Sequence, residues 1–139
     1  MTHHGTCVAL GERGILLRGP SGAGKSDLAL RLIDGGAMLV ADDQVLLRKE
    51  DAGLLATPPS ALAGLIEVRG LGILRLPFRS SILVGLVADL VPREAVPRLP
   101  EPAYVMLCEV AVPVILLHAF DGSAVAKLRL AVGTGPSCR

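Results

Sequence analysis

Gly19-Pro20-Ser21-Gly22-Ala23-Gly24-Lys25-Ser26 sets two glycines around four residues and closes on a Lys-Ser pair, the pattern of a phosphate-binding loop. No other stretch of the 139 residues constrains the fold as tightly. Such a loop works through its backbone. Glycines let consecutive N–H groups turn inward around phosphate oxygens, Lys25 adds a mobile positive charge, and Ser26 offers a hydroxyl to Mg²⁺. It also needs a strand entering and a helix leaving. Residues 14–18 (GILLR) read as a short buried strand. Residues 26–34 read as a helix with Leu28, Ala29, Leu32 and Ile33 on one face, so that its N-terminus points at the anion.

The length predicts a single domain, residues 1–139, burying about two-thirds of its unfolded surface. Hydrophobic residues make up 51 % and mean hydropathy is +0.56, so a membrane span has to be tested first. The most apolar run, residues 105–120, is interrupted by Glu109, Pro113 and His118 and is shorter than the roughly 20 residues a spanning helix requires. No membrane partner is expected. Aromatic residues are only 2 % with no Trp, which predicts neither stacking of bases on aromatic rings nor an interfacial belt. A net charge of +1 without a basic stripe argues against nucleic acid. Cys7, Cys108 and Cys138 are widely spaced and unpaired for metal, and the N-terminus carries no export signal, so a cytoplasmic protein is expected.

Along the chain, residues 7–10 and 14–18 flank Gly11-Glu12-Arg13 and predict a hairpin that delivers the loop. Gly35-Gly36 stop the helix, and residues 37–41 form another apolar strand ending at Asp42-Asp43. Residues 45–48 continue extended, Asp51-Ala52-Gly53 turns, and a short helix is expected at residues 61–63. Residues 65–74 are β-prone with two glycines, the mark of a bend or of a close backbone approach. Further strands are expected at residues 82–86, 104–110 and 114–117, with a Pro-rich loop or broken helix at 91–102 and a last helix at 124–132. Strands outnumber helices. The fold class is therefore α/β with a mixed sheet and flanking helices, the loop helix on one face and the C-terminal helix elsewhere.

Phosphoryl transfer needs phosphates held in line, charge offset by metal and cations, and a group that accepts the nucleophile's proton. Asp42-Asp43 end a buried strand after the loop helix, where α/β sheets place ligand-facing residues. Neighbours on a strand point to opposite sides, so one acid faces the ligand and the other serves from behind or binds metal through a bend. Glu67 and Arg69 project from one strand face, either as a metal carboxylate and a phosphate-binding cation or as an exposed ion pair. His4, unaided, reads as a surface or tail histidine.

Taken in order, His4-Gly5, the loop with Asp27, Leu39-Val40-Ala41-Asp42-Asp43-Gln44-Val45 and Ile66-Glu67-Val68-Arg69-Gly70-Leu71-Gly72-Ile73 make the chain resemble the catalytic domain of the bacterial HPr kinase/phosphorylase family. The resemblance implies a phosphate-loop nucleotide-binding core similar to phosphoenolpyruvate carboxykinase. It implies an ATP- and Mg²⁺-dependent kinase acting on a serine of the small phosphocarrier HPr, a phosphorylase that reverses the reaction with inorganic phosphate, and a homo-oligomer, hexameric in the family. Carried over by position, Gly19, Pro20, Ser21, Gly22, Ala23, Gly24 and Lys25 would hold phosphate with Arg69. Ser26, Asp42 and Glu67 would serve Mg²⁺, Asp43 would be the proton acceptor, and His4 and Arg98, the latter in Arg98-Leu99, would be catalytic.

Two departures stand out. The family's full-length members carry an N-terminal domain, whereas this chain begins at the kinase core. The family's Pro-Val-(Arg/Lys)-x-Gly-Arg-Asn segment, associated with dephosphorylation, has no counterpart after Pro113-Val114, so the kinase half is the better supported. The rival readings are a small-molecule phosphate-loop kinase, against which stands the lack of an arginine-rich lid, and a non-catalytic nucleotide-binding regulatory module. A GTPase is disfavoured by the absence of Asn-Lys-x-Asp.

Overall fold

The computed structural model describes residues 1–133. Its elements run β1 (Thr2–His4), β2 (Thr6–Leu10), β3 (Arg13–Arg18), α1 (Lys25–Asp34), β4 (Met38–Ala41), β5 (Gln44–Glu50), β6 (Gly53–Thr57), β7 (Leu65–Val68), β8 (Gly72–Arg75), β9 (Ile82–Leu90), β10 (Tyr104–Leu107), β11 (Val110–Leu117) and α2 (Ala124–Gly133). The class is α/β with a mixed, curled sheet. No helix among the described residues is long and apolar enough to cross a membrane.

β9 is the hub. Along one edge it runs parallel to β3; along the other it pairs antiparallel with β6 at Ile82 and Leu83 and then parallel with β11 from Val87 to Leu90. β2 joins β3 antiparallel and β4 joins β2, while β5 and then β1 extend the sheet beyond β6. Gly14 pairs with Val84 but Ile15 with Leu86, so Gly85 is an extra residue in β9. A bulge of this kind turns the strand over. Ile82 and Val84 therefore face one core, and Leu86, Ala88 and Leu90 face the other.

The first core lies under the helices, where Leu28 and Leu32 of α1 and Leu128 of α2 pack on Val8, Ile15, Leu17 and Leu39. The second lies inside the curl, where Cys7, Leu16 and Val40 meet Val45, Leu47, Leu54, Leu107 and Val112. Burial on both faces explains the unbroken apolar runs of β2, β3 and β9.

The predicted β2–β3 hairpin, loop helix, β4 and last helix are present. Several expectations need correction. Both helices lie on the same face of the sheet, in one core, rather than on separate sides. β6 was not foreseen; it folds back on β5 after the Asp51-Ala52 turn. The single strand expected at 104–110 is instead the β10–β11 hairpin, turning at Cys108 (φ 49°) and Glu109 (φ 68°), a left-handed pair without the glycine or asparagine that marks such turns. Residues 65–75 are the two-stranded β7–β8 hairpin. Gly70 and Gly72 sit at positive φ in open space, so they make a turn and not a close approach.

Candidate active site

β3 ends at Arg18, whose guanidinium grips Asp89 of β9 through two bonds of 2.7 and 2.9 Å. This pair ties the strand entering the loop to its neighbour, and it raises the guanidinium pKa through its hydrogen bond to Asp89. Gly22 and Gly24 then take φ of 87° and 98°, which L side chains rarely adopt. At Gly24 space is also short, because a Cβ there would stand 2.9 Å from Cζ of Phe120. Gly24 is the N-cap of α1 and carries no side-chain cap, so the first N–H groups of the helix open toward the loop. Lys25 Nζ folds back on the loop, donating to the carbonyls of Gly19 at 2.7 Å and Pro20 at 3.1 Å.

The loop borders a cavity of about 570 Å³. Its lining combines Ser21, Gly22, Gly24, Lys25 and Ser26 of the loop with His4, Thr6, Asp27, Leu30, Asp43, Glu67, Val68, Arg69 and Phe120. Two acids adjacent in sequence have different surroundings. Asp42 is buried, with Oδ1 accepting from the hydroxyls of Ser26 (2.7 Å) and Thr6 (2.9 Å) and Oδ2 accepting from the Glu67 N–H (3.1 Å). Asp43 is exposed and bonds Nε2 of His4 at 3.1 Å. The chain bends between β4 and β5, with Asp43 at φ 72°, so the carboxylates leave the strand in different directions. A strained, non-glycine residue at the mouth of a cavity is the kind of feature found where chemistry occurs.

His4 is thus brought to the cavity by β1, whose His4 is paired with Gln44 of β5, rather than left as a tail residue. Its neighbour His3 has its pKa lowered by burial first, then by the charges of Arg18 and His4, with Asp89 opposing. Glu67 is on β7, but Arg69 lies just beyond it in the hairpin turn, not on the strand. They make no ion pair with each other among the described residues, and both line the cavity. Arg98 is not brought to the site. It sits exposed in the proline-rich loop after the turn at Arg93–Ala95, outside the cavity lining, between Pro97 and Pro100, which have no N–H to give to a strand ladder.

Sequence reasoning missed Thr6, Leu30 and Phe120. Thr6 had a signal, as the one hydroxyl in an otherwise apolar strand. Phe120 had only its rarity, being one of two phenylalanines in the chain.

The donor set suits Mg²⁺, which keeps several waters and binds through one or two carboxylates, a hydroxyl and substrate phosphates. Ser26 and Glu67 both line the cavity and both bond Asp42, Glu67 through its backbone N–H, and no group of three or more His, Cys, Asp or Glu forms a dedicated metal cage among the described residues.

Comparison with known proteins matches residues 1–79 to the HPr Serine kinase C-terminal domain. An HPr kinase/phosphorylase of Clostridium tetani is 46 % identical over 74 residues, 53 % of this chain and 24 % of that protein. One from a Geobacillus species is 46 % identical over 95 residues, 63 % of this chain and 30 % of that protein. The chain thus aligns with about a quarter to a third of the length of these curated relatives. In structure it is similar to the Hpr(Ser) kinase/phosphatase of Coxiella burnetii, with a TM-score of 0.83, 28 % identity, and coverage of 96 % of this chain and 88 % of that one. With the family model covering more than half of its residues, the chain belongs to the HPr serine kinase C-terminal domain family.

Proposed function

We propose that the protein is an ATP- and Mg²⁺-dependent kinase that phosphorylates a serine of an HPr-like phosphocarrier, on a core related to that of phosphoenolpyruvate carboxykinase. The observation that carries this reading is the division of labour between adjacent acids. Asp42 is consumed by Ser26, Thr6 and the Glu67 backbone, while Asp43 stands free in the cavity beside His4. A module that only bound nucleotide would have no use for an exposed carboxylate in strained backbone next to a phosphate loop.

In this mechanism the loop N–H groups and Lys25 take the β- and γ-phosphates, Lys25 exchanging the Gly19 and Pro20 carbonyls for phosphate oxygens. Ser26 and Glu67, which line the cavity, would hold Mg²⁺ with Asp42 positioning the Ser26 hydroxyl from behind; the ion would offset phosphate charge. Arg69 adds a cation at the rim. The serine Oγ attacks the γ-phosphorus as the bond to the β–γ bridging oxygen breaks. ADP leaves, and the serine proton passes to Asp43, with His4 orienting that carboxylate.

The test is to incubate the protein with γ-labelled ATP, Mg²⁺ and either HPr or a panel of small hydroxyl metabolites. Label on HPr serine supports the proposal; label on a metabolite favours a small-molecule kinase; ATP binding without turnover favours a regulatory module.

A further inference from the structure

Phe120 is 56 % exposed, yet it lines the cavity that holds the phosphate loop. Aromatic residues are only 2 % of the chain, yet one of its two phenylalanines lines the site. Two contacts hold it. Its edge rests on Gly24, where any Cβ would collide with it, and it meets the His118 ring edge-on, with centroids 5.8 Å apart and planes at 71°. His118 is fixed through Nδ1 to the Val91 carbonyl at 2.9 Å, and the Arg31 guanidinium of α1 bonds the Ala119 carbonyl. The ring is therefore presented by a braced segment and not by a loose loop.

The two sides of α1 give the cavity a direction. On one side Ser26 reaches Asp42, which receives the backbone of Glu67. On the other, Asp27 pairs with Arg31 at 3.1 Å, and Arg31 ties the helix to the segment bearing Phe120. Asp43, bonded to His4, and Phe120, packed on Gly24, both line the cavity.

We infer that Phe120 is the platform on which the nucleobase stacks. The inference rests on the nucleotide reading of the loop. The chain contains no Asn, and its single Gln, Gln44, is not in the cavity lining, so amide readout of the base edge is missing. Stacking alone tolerates any base, because every base has a π-face. ATP and GTP should then bind comparably.

The natural sequence has no Trp, so Phe120→Trp makes a single-tryptophan reporter. Its emission is read while titrating Mg-ATP, Mg-GTP or Mg-tripolyphosphate, which has the phosphates without the base. In parallel, calorimetry measures binding of ATP and tripolyphosphate to the unmodified protein and to Phe120→Ala. The expected result is quenching by ATP and GTP but not by tripolyphosphate, with Phe120→Ala weakening ATP about tenfold or more and leaving tripolyphosphate unchanged. Unchanged ATP affinity in Phe120→Ala, or equal loss for both ligands, overturns the inference and leaves the phosphate site standing; equal loss would mean that Phe120 only props Gly24. If the unmodified protein binds neither ligand, the nucleotide reading itself fails.

Discussion

The Ser26 hydroxyl donates to Oδ1 of Asp42 at 2.7 Å, joining the first turn of the loop helix to the end of β4. The same oxygen receives Thr6 of β2, and the other carboxylate oxygen receives the backbone of β7. One buried acid thereby fixes four elements around the cavity, which frees Asp43 to face it.

Replacing Asp42 with Asn should harm the fold as well as the reaction. With its one acceptor oxygen on the Glu67 N–H, an amide would turn its NH₂ to the Ser26 and Thr6 hydroxyls, which must then accept instead of donate, and the charge-assisted bonds are lost. Thermal or urea unfolding should show a loss of about 1–3 kcal/mol. Asp43→Asn, at an exposed position, should leave stability within about 0.5 kcal/mol. It should abolish transfer while ATP still binds. If Asp42→Asn is folded but inactive and Asp43→Asn is active, the roles are reversed.

Lys25→Ala and Ser26→Ala act on phosphate and metal rather than on the core. Each should lower the transfer rate by about 10²-fold or more with an unchanged circular dichroism spectrum. Retention of more than about a tenth of the rate in Lys25→Ala would remove the loop from the mechanism.

The forward reaction should exceed phosphorolysis by at least about tenfold under matched conditions, since attack by inorganic phosphate on phosphoserine brings two anions together. Among the described residues, the basic side chains after β11 are already engaged: His118 on Val91, Lys127 near Asp121 at 3.8 Å and Arg129 on Gly35. Pyrophosphate release from phosphorylated carrier measures the reverse rate. Equal rates would mean that Arg69 and Lys25 alone offset the repulsion.

Burial pushes the Cys7 thiol from its usual 9.0 up to about 12. Between those values the folded state keeps a proton that the unfolded state has lost, so stability is full below pH 9 and falls as pH rises toward 12. Iodoacetamide at pH 8 should leave Cys7 unmodified in the native protein and label it in urea, as read by peptide mass spectrometry. Rapid native labelling would contradict the buried position.

Local pattern revealed the loop, its strand and helix, and the acidic pair, because phosphate binding and apolar periodicity are written in contiguous residues. What it left open was set by distant contacts. Nothing local to His4 says that β1 will pair with β5 and deliver it to Asp43. Thr6 and Phe120 escaped notice because their partners, Asp42 and Gly24, lie 36 and 96 residues away. The fork at β9 was hidden for the same reason, since one strand with a bulge at Gly85 serves two cores.

Single-turnover transfer from ATP to HPr, followed by intact-mass spectrometry of the carrier, tests the central claim most directly. The expected result is one added phosphate on HPr, located on a serine, dependent on Mg²⁺, lost when that serine is alanine and lost in Asp43→Asn. An HPr mass that never changes while ATP is bound, or a phosphate that appears equally fast with Asp43→Asn, would contradict it.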